Sequence, residues 1–290
     1  MDKIGRYEFL AEPFHCDFSQ KLFMSHLGNH LLNAADFHSN DRGFGMHYLN
    51  TINKTWVLSR LAVEMTEMPR SYDRFTVETW VESAMRFFTN RNFKIYAAAT
   101  PSPASGEEEV GQSGEASGKS ANEAGEQAEG PAEKVYGYGR SVWAMIDTET
   151  RQPVDLFSIN NGAMHDYIVA EKPCPIEKSS RVKMPAEAAL ARTIDTCYSD
   201  VDINGHINSI KYIEHVLDLW DIDWYSRHSL RRFEIAYVAE AHLGDKLLFY
   251  VEKDKESVLP AFFVRIAKLT DDGTEPIETC RSKVVFEPLG

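Results

Sequence analysis

A helical pattern runs through the segment Asn208-Ser209-Ile210-Lys211-Tyr212-Ile213-Glu214-His215-Val216-Leu217-Asp218-Leu219-Trp220. Its apolar side chains recur at helical spacing and form one stripe: Ile210, Ile213, Val216, Leu217 and Trp220. A second such segment covers residues 25–39, with the stripe Leu27, Leu31, Ala34 and Ala35. Several runs rich in aromatic and β-branched residues follow each helix and predict strands. One helix followed by antiparallel strands, repeated once, is typical of an α+β fold in which each sheet wraps around its own helix.

The strands that follow the two helices form a weak internal duplication. Asp73-Arg74-Phe75 begins one strand run, and Asp245-Lys246-Leu247 begins another. Phe93-Lys94-Ile95 and Val264-Arg265-Ile266 follow them at nearly equal distances. The duplication predicts two domains joined by a connector. The N-terminal domain, the connector and the C-terminal domain are expected at residues 1–155, 156–190 and 191–290.

One segment, residues 101–134, departs sharply from this pattern. It holds six of the seventeen glycines and eight glutamates, and Val110 is its only apolar residue besides alanines and prolines. A segment of this composition cannot bury a core, so we expect a disordered acidic insertion. The residues on both sides, 86–96 and 135–146, are strand-like, which places the insertion at the tip of a hairpin.

Length, charge and cysteine usage exclude several classes of protein. The 290 residues are enough for two cores of ordinary size, and no run approaches the roughly 20 apolar residues that span a bilayer. The N-terminus lacks the apolar run of a secretory signal, so we expect a cytoplasmic protein. The net charge of −13 disfavours binding to nucleic acid or anionic lipid. The four scattered cysteines argue against a disulfide framework or a zinc site.

The segment before the second helix, Asp200-Val201-Asp202-Ile203-Asn204-Gly205-His206-Ile207-Asn208, has two interpretations. Its beginning matches a calcium-binding EF-hand loop, but Lys211 stands where the bidentate glutamate of that loop is required. The alternative is a polar cluster, Asp202-x-Asn204-x-His206, that enters the N-terminus of the helix. Helix capping by Asn or Asp would explain one of these three residues and leaves the histidine unexplained.

The polar cluster and the start of the helix, Asp202 to Asn208, match the signature D-x-N-x-H-x-N, and Tyr212 follows four residues after Asn208. In this respect the chain resembles the fatty acyl-ACP thioesterases of plants and bacteria, a family of two tandem hotdog domains. Trp56-Val57-Leu58-Ser59-Arg60 and Val77-Glu78-Thr79-Trp80-Val81 are also similar to that family. The resemblance implies hydrolysis of fatty acyl-ACP thioesters and, at Glu240, a further catalytic glutamate. Members commonly carry a cysteine after that glutamate, whereas this chain has Ala241, so hydrolysis would use activated water.

The residues themselves offer the groups that thioester hydrolysis needs. The oxyanion requires donors, which the Asn204 amide and the backbone N–H groups near Asn208 can supply. Water requires a base, and both His206 and Glu240 are candidates. Asp202 would orient His206 or Asn204 and stabilise a charged imidazole.

The first copy differs at the corresponding position, where Asp17, Ser19 and Lys21 stand before the helix. We therefore expect one active site, in the second half, with the first half lining a tunnel for the acyl chain. In addition to Asn208, the predicted substrate-binding residues come from the first half and are Leu31, Ala35, Trp56 and Leu58.

Acyl carrier protein, the predicted partner, is acidic, so docking requires clustered cations. The densest group near the site is Arg227, Arg231 and Arg232, and alternatives are Arg70, Arg74, Arg86, Arg91 and Lys94.

No metal or other cofactor is expected. His26 and His30 stand four apart, but the glutamate of an H-E-x-x-H site is missing. Two other functions stay open, namely hydrolysis of acyl-CoA at the same site and acyl binding without catalysis. Tandem copies already form a pseudo-dimer, so both a monomer and a homodimer are allowed.

Overall fold

The computed structural model describes residues 2–98, 133–269 and 275–290, and these residues build one ten-stranded antiparallel sheet. The first half contributes β1 (Gly5–Leu10), α1 (Met24–Asn40), α2 (Met46–Asn50), β2 (Lys54–Met65), β3 (Arg74–Ala84), β4 (Phe88–Ala97) and β5 (Val135–Asp147). The second half contributes β6 (Ala189–Asp195), α3 (Ser209–Leu217), α4 (Ile222–Tyr225), β7 (His228–Tyr237), β8 (Lys246–Lys253), β9 (Ala261–Leu269) and β10 (Ile277–Pro288).

The strands follow the same connectivity in both halves of the sheet. Their order is β1-β3-β4-β5-β2-β7-β10-β9-β8-β6. From the centre outward, the first half runs β2-β5-β4-β3-β1 and the second half runs β7-β10-β9-β8-β6, which is the same connectivity. The halves join where β2 pairs with β7, with Leu61 opposite Ile235. β3 and β8 begin at the duplicated motifs, at Arg74 and Lys246. The α+β expectation is therefore correct, with few helices packed on a large antiparallel sheet.

The two predicted helices pack against each other over the sheet and share one core. Leu27 and Leu31 of α1 and Ile210 and Ile213 of α3 are almost fully buried in it. Gly28 faces Ile210, where an added Cβ would lie 2.8 Å from Cδ1, so glycine allows a close approach of the two helices. Burial of these stripes is what stabilises both helices.

The second helix ends earlier than the sequence predicts. α3 stops at Leu217, with Asp218 as its C-cap, and Trp220 lies beyond it. The Trp220 ring packs 4.9 Å from the ring of Phe286 and 5.1 Å from that of Phe262. The apolar character of Trp220 therefore reflects an aromatic cluster next to α3 and not a further helical turn.

The acidic insertion lies outside the described residues except for its last two positions, 133 and 134. The strands on either side of it, β4 and β5, pair with each other from Phe88 opposite Ala144 to Tyr96 opposite Val135. Two short 3-10 turns lie within Leu156–Tyr167, separated by a kink at residues 159–162. The chain then crosses the first half, where Trp80 Nε1 donates to the Lys172 carbonyl at 2.8 Å. Among the helices that the structure describes, none is long and apolar enough to cross a membrane.

Candidate active site

The polar cluster before α3 forms a tight turn that Asp202 organises. Its Oδ1 accepts the backbone N–H of Asn204 at 2.8 Å and that of His206 at 3.2 Å. Gly205 has φ +81°, in the left-handed region where glycine carries no steric penalty. Both hydrogen bonds go to the main chain of the two residues that Asp202 is predicted to orient, Asn204 and His206, and its role in stabilising a charged imidazole stays a prediction. Its contribution is to shape the loop that presents Asn204 and His206.

The same turn recurs in the first half. Asp17 Oδ1 accepts the backbone N–H of Ser19 at 2.8 Å and that of Lys21 at 3.1 Å, and Gln20 takes the left-handed φ of +62°. Lys21 thus stands where the second turn has its histidine. Since both turns keep the aspartate and only one carries an imidazole, the aspartate serves the backbone geometry and the histidine is the added chemical group.

A backbone contact brings Glu240 to the histidine. The Ile207 N–H donates to the Ala241 carbonyl at 2.8 Å, so the segment after β7 lies beside the turn. His206 Nε2 and Glu240 Oε2 are 3.4 Å apart, and their side chains are 25% and 38% exposed. In the first half the matching bond runs from Leu22 to the Pro69 carbonyl, and Met68 precedes that proline. The second half alone therefore combines an imidazole with a carboxylate.

Arg151 is a site residue that the sequence did not indicate. It lies in the turn after β5, in the first half, with a left-handed φ of +60°. Its Nη2 donates to Glu240 Oε1, which leaves Oε2 facing His206. The pairing crosses between the two halves, so no local sequence pattern connects these residues.

The pair lies at a cavity of about 970 Å³ that both halves line. Of the predicted substrate-binding residues, Ala35, Trp56, Leu58 and Asn208 lie on its wall, together with Trp143, Tyr212 and Tyr237. Asp202, Asn204, His206 and Glu240 line it as well. A cavity of this size falls within the range that holds an organic ligand.

Leu31 is the exception among the predicted lining residues. It is 0% exposed and packs in the core, and its neighbour Leu32 lines the cavity instead. Successive helical residues are rotated by about 100°, so a shift of one position exchanges the core face for the cavity face. The helical stripe identified the buried face of α1 and could not locate the boundary between core and cavity.

The N-terminus of α3 offers fewer backbone donors than the sequence suggested. Asn208 is its N-cap, and its side chain accepts the Ile210 N–H at 3.0 Å. The Asn208 carbonyl accepts the Lys211 N–H at 2.9 Å. These two N–H groups are therefore occupied within the helix start, and the exposed Asn204 amide on the cavity wall becomes the main candidate donor to an oxyanion.

The calcium interpretation has no support in the geometry. Asp200 is 3% exposed and faces the protein interior, with Oδ1 3.0 Å from His215 Nε2 and Oδ2 accepting the Cys197 N–H at 2.8 Å. Burial alone would raise the pKa of Asp200, but the hydrogen bonds from Cys197 and His215 outweigh it and lower that pKa. Asp200 and Asp202 thus serve different partners.

All three predicted docking arginines make polar contacts within the chain, and two of them are in ion pairs. Arg232 is paired with Glu64 at 3.0 Å and with Glu234 at 2.8 Å, and its side chain is only 11% exposed. Arg231 pairs with the same Glu64 at 3.2 Å. Arg227 donates through Nε to the Asp223 carbonyl at 3.0 Å. The carboxylates of Glu64 and Glu234 offset the charges of Arg231 and Arg232, and the docking role of these positions stays a prediction. Of the alternatives, Arg91 is buried as well.

The site also contains a group that could hold a metal ion, although none was predicted. One ligand atom from each of His206, Glu240 and His242 lies within 4.8 Å of the others. His242 was not singled out because it lies on a separate loop that only folding brings to the turn.

Comparison with known proteins agrees with this architecture. Residues 6–102 match the family model of the acyl-ACP thioesterase N-terminal domain, and residues 184–279 match that of the C-terminal domain. A crystal structure of an acyl-ACP thioesterase from Bacteroides thetaiotaomicron is 46% identical, covers 98% of both chains and superposes with a TM-score of 0.77.

Plant relatives are more distant. The 12:0-ACP thioesterase from Umbellularia californica is 16% identical, covers 100% of this chain and 99% of its own, and superposes with a TM-score of 0.72, which shows a shared fold. The Arabidopsis thaliana oleoyl-acyl carrier protein thioesterase 2 is 20% identical over 82% of this chain, which spans only 60% of that relative's length. With two family models covering most of the chain and a 46% identical structure along nearly its whole length, the chain belongs to the acyl-ACP thioesterase family.

Proposed function

We propose that the protein hydrolyses fatty acyl-ACP thioesters to free fatty acid and holo-ACP. The observation that carries the proposal is the pair of His206 and Glu240, 3.4 Å apart, at the wall of a cavity of about 970 Å³. A carboxylate and an imidazole supply acid–base chemistry, and apolar side chains from the first half supply a place for an acyl chain. Family membership adds the thioester as the bond to be broken.

The nucleophile is a water molecule. Ala241 stands after Glu240, and none of the four cysteines is among the described residues that line the cavity. The His206–Glu240 pair accepts a proton from water as its oxygen attacks the acyl carbon. The C–S bond then breaks, and the departing thiolate recovers a proton. Either residue of the pair can act as the base. Arg151 donates to Glu240 Oε1, which leaves Oε2 available to water or to the imidazole.

The oxyanion that forms during the attack needs donors within the cavity. The Asn204 amide is exposed on its wall, and the N-terminus of α3 adds the positive end of the helix dipole. Each well-placed donor of this kind contributes about 10² to 10³ in rate.

Two tandem hotdog domains are the architecture that we propose for the chain. The repeated strand connectivity and the repeated aspartate turn support this division. In this arrangement the second domain supplies the reacting groups, while α1, β2 and β5 of the first domain line much of the cavity.

A free-thiol release assay across carrier-bound acyl lengths tests the function. His206→Ala should lower turnover by at least about 10²-fold. The matched control is Lys21→Ala, which changes the partly exposed residue at the equivalent position of the first turn and should leave turnover unchanged. Undiminished hydrolysis by His206→Ala would contradict the proposal. The same acyl groups on CoA distinguish the two thioesters, and equal or faster turnover of the CoA form would make CoA the preferred carrier.

A further inference from the structure

Beside the proposed catalytic pair lies His242, an exposed imidazole that the hydrolytic mechanism does not use. An antiparallel bridge joins the backbones of His206 and His242. Their ring centroids are 5.0 Å apart, with the ring planes at 78°. The backbone thus holds the two imidazoles side by side, with the Glu240 carboxylate within reach of both.

The spacing of the three side chains suits a divalent transition metal ion. Zn²⁺ binds imidazole nitrogen and carboxylate oxygen at about 2.0–2.2 Å, so neighbouring ligand atoms of a tetrahedral site lie roughly 3.3 Å apart. His206 Nε2 and Glu240 Oε2 already have this separation, at 3.4 Å. The ligand atom of His242 lies within 4.8 Å of both, and its exposed side chain can rotate inward. Two imidazoles and one carboxylate leave the fourth position open to water.

Glu240 can bind an ion without losing its contact with Arg151. The arginine holds Oε1, whereas Oε2 faces His206. A carboxylate that ligates a metal through one oxygen and accepts a hydrogen bond at the other is the usual arrangement around protein-bound metals. Arg151 therefore serves as the outer partner of the carboxylate in both states.

We propose that His206, Glu240 and His242 bind Zn²⁺, and that the bound ion inhibits the enzyme. The inhibition follows because the ion occupies His206 Nε2 and Glu240 Oε2, the two atoms that would otherwise take the proton from water. This second part rests on the proposed function, whereas binding of the ion does not. The ion acts as a reversible inhibitor and is not a resident cofactor of the hydrolysis.

The first half of the chain provides an internal comparison. There the same backbone bridge joins Lys21 and Arg70, and Met68 takes the position of Glu240. The two cationic side chains would repel a divalent ion, and the neutral thioether supplies no negative charge to offset them. The arrangement of donors therefore belongs to the second half alone, although the loops of both halves have the same backbone geometry.

Metal binding is tested on the metal-free full chain by calorimetric titration with Zn²⁺, with the visible absorption of Co²⁺ as a probe of tetrahedral coordination. We expect one ion per chain. His242→Ala should weaken binding by at least about tenfold, since loss of one of three protein ligands costs at least as much as loss of an outer partner. The matched control is His47→Ala, which removes an exposed histidine far along the chain and should bind as the unaltered protein does. Absence of stoichiometric binding, or equal binding by His242→Ala, would overturn the site.

Inhibition is tested by thiol release with and without Zn²⁺. The unaltered chain should lose activity on addition of the ion and recover it with a chelator. His242→Ala should keep its metal-free turnover and require at least about tenfold more Zn²⁺ for the same inhibition. Turnover that is unchanged or raised when the site is loaded would refute the inhibitory role. If the chain hydrolyses no thioester at all, the proposed function fails, while the calorimetric titration still decides whether the site exists.

Discussion

His206 and Glu240 should behave as one catalytic unit, because their reactive atoms lie 3.4 Å apart and face the same cavity. The perturbation is a double-substitution cycle that compares His206→Ala, Glu240→Gln and the combined variant. Loss of acid–base catalysis lowers kcat/KM by about 10² to 10⁴ for each single variant. At 1.36 kcal/mol per factor of ten, that loss corresponds to about 2.7 to 5.4 kcal/mol of transition-state stabilisation.

The cycle separates a coupled pair from two independent groups. If each residue acted on a different step, the losses would add, and the double variant would lose about 5 to 11 kcal/mol. If both serve one proton transfer, the double variant should be no slower than the more impaired single variant. The structure favours the second outcome, because a single water molecule can contact both side chains. Rate enhancement from the oxyanion donors and from substrate binding should remain in all three variants.

The assay is thiol release at subsaturating acyl-ACP, which reports kcat/KM directly, with thermal unfolding of every variant as the control. The two side chains are 25% and 38% exposed, and an ion pair this accessible stabilises a fold by at most about 1 kcal/mol. The melting temperatures should therefore change little while the rates fall. Multiplicative losses, or full activity of Glu240→Gln, would refute the assignment of these residues to one unit.

Three further predictions concern positioning, packing and pH. Arg151→Gln removes the donor that holds Glu240 Oε1 and should lower kcat/KM by about tenfold through misplacement of the carboxylate, without a comparable loss in melting temperature. Leu31→Ala should cost about 2 to 5 kcal/mol in the free energy of unfolding, whereas Leu32→Ala, at the cavity wall, should cost less and instead raise KM; equal unfolding costs would contradict this division. Burial lowers the pKa of His38 to about 2 in the folded chain, whereas histidine in an unfolded chain titrates at about 6.5. The unfolded chain therefore binds the extra proton first, and stability falls as the pH drops below about 6.5. The melting temperature of His38→Gln should therefore fall less steeply than that of the unaltered chain between about pH 6.5 and 4, and parallel curves would exclude His38 as a source of acid sensitivity.

Several features of the fold could be predicted because their causes are local. The stripes of α1 and α3 follow from helical periodicity, and Asp202, Gly205 and Asn208 form a turn and an N-cap within a few residues of one another. Here side-chain hydrogen bonds to nearby backbone determine the conformation, so spacing along the chain is informative. The same locality explains why the first half repeats the turn around Asp17.

Other features depend on contacts between distant segments, and there the sequence patterns do not predict the contacts that the structure shows. Helical periodicity predicts a helix that extends to Trp220, although its ring packs against Phe286 of the last strand. Arg231 and Arg232 are predicted to form a docking patch, whereas Glu64 from the neighbouring half pairs with both. Each case concerns a side chain whose partner lies far away in the chain, where periodicity carries no information about pairing.

The sequence by itself determined the α+β class, the two long helical stripes and the polar turn that carries His206, because these depend on interactions over a few residues. Only the tertiary structure decided that Glu240 Oε2 lies 3.4 Å from His206, that Arg151 of the other half holds its second oxygen, and that a ligand atom of His242 lies within 4.8 Å of both. The physical reason is that antiparallel pairing of remote strands sets the relative position of these loops. The register of that pairing results from burial of the whole sheet and not from any single segment.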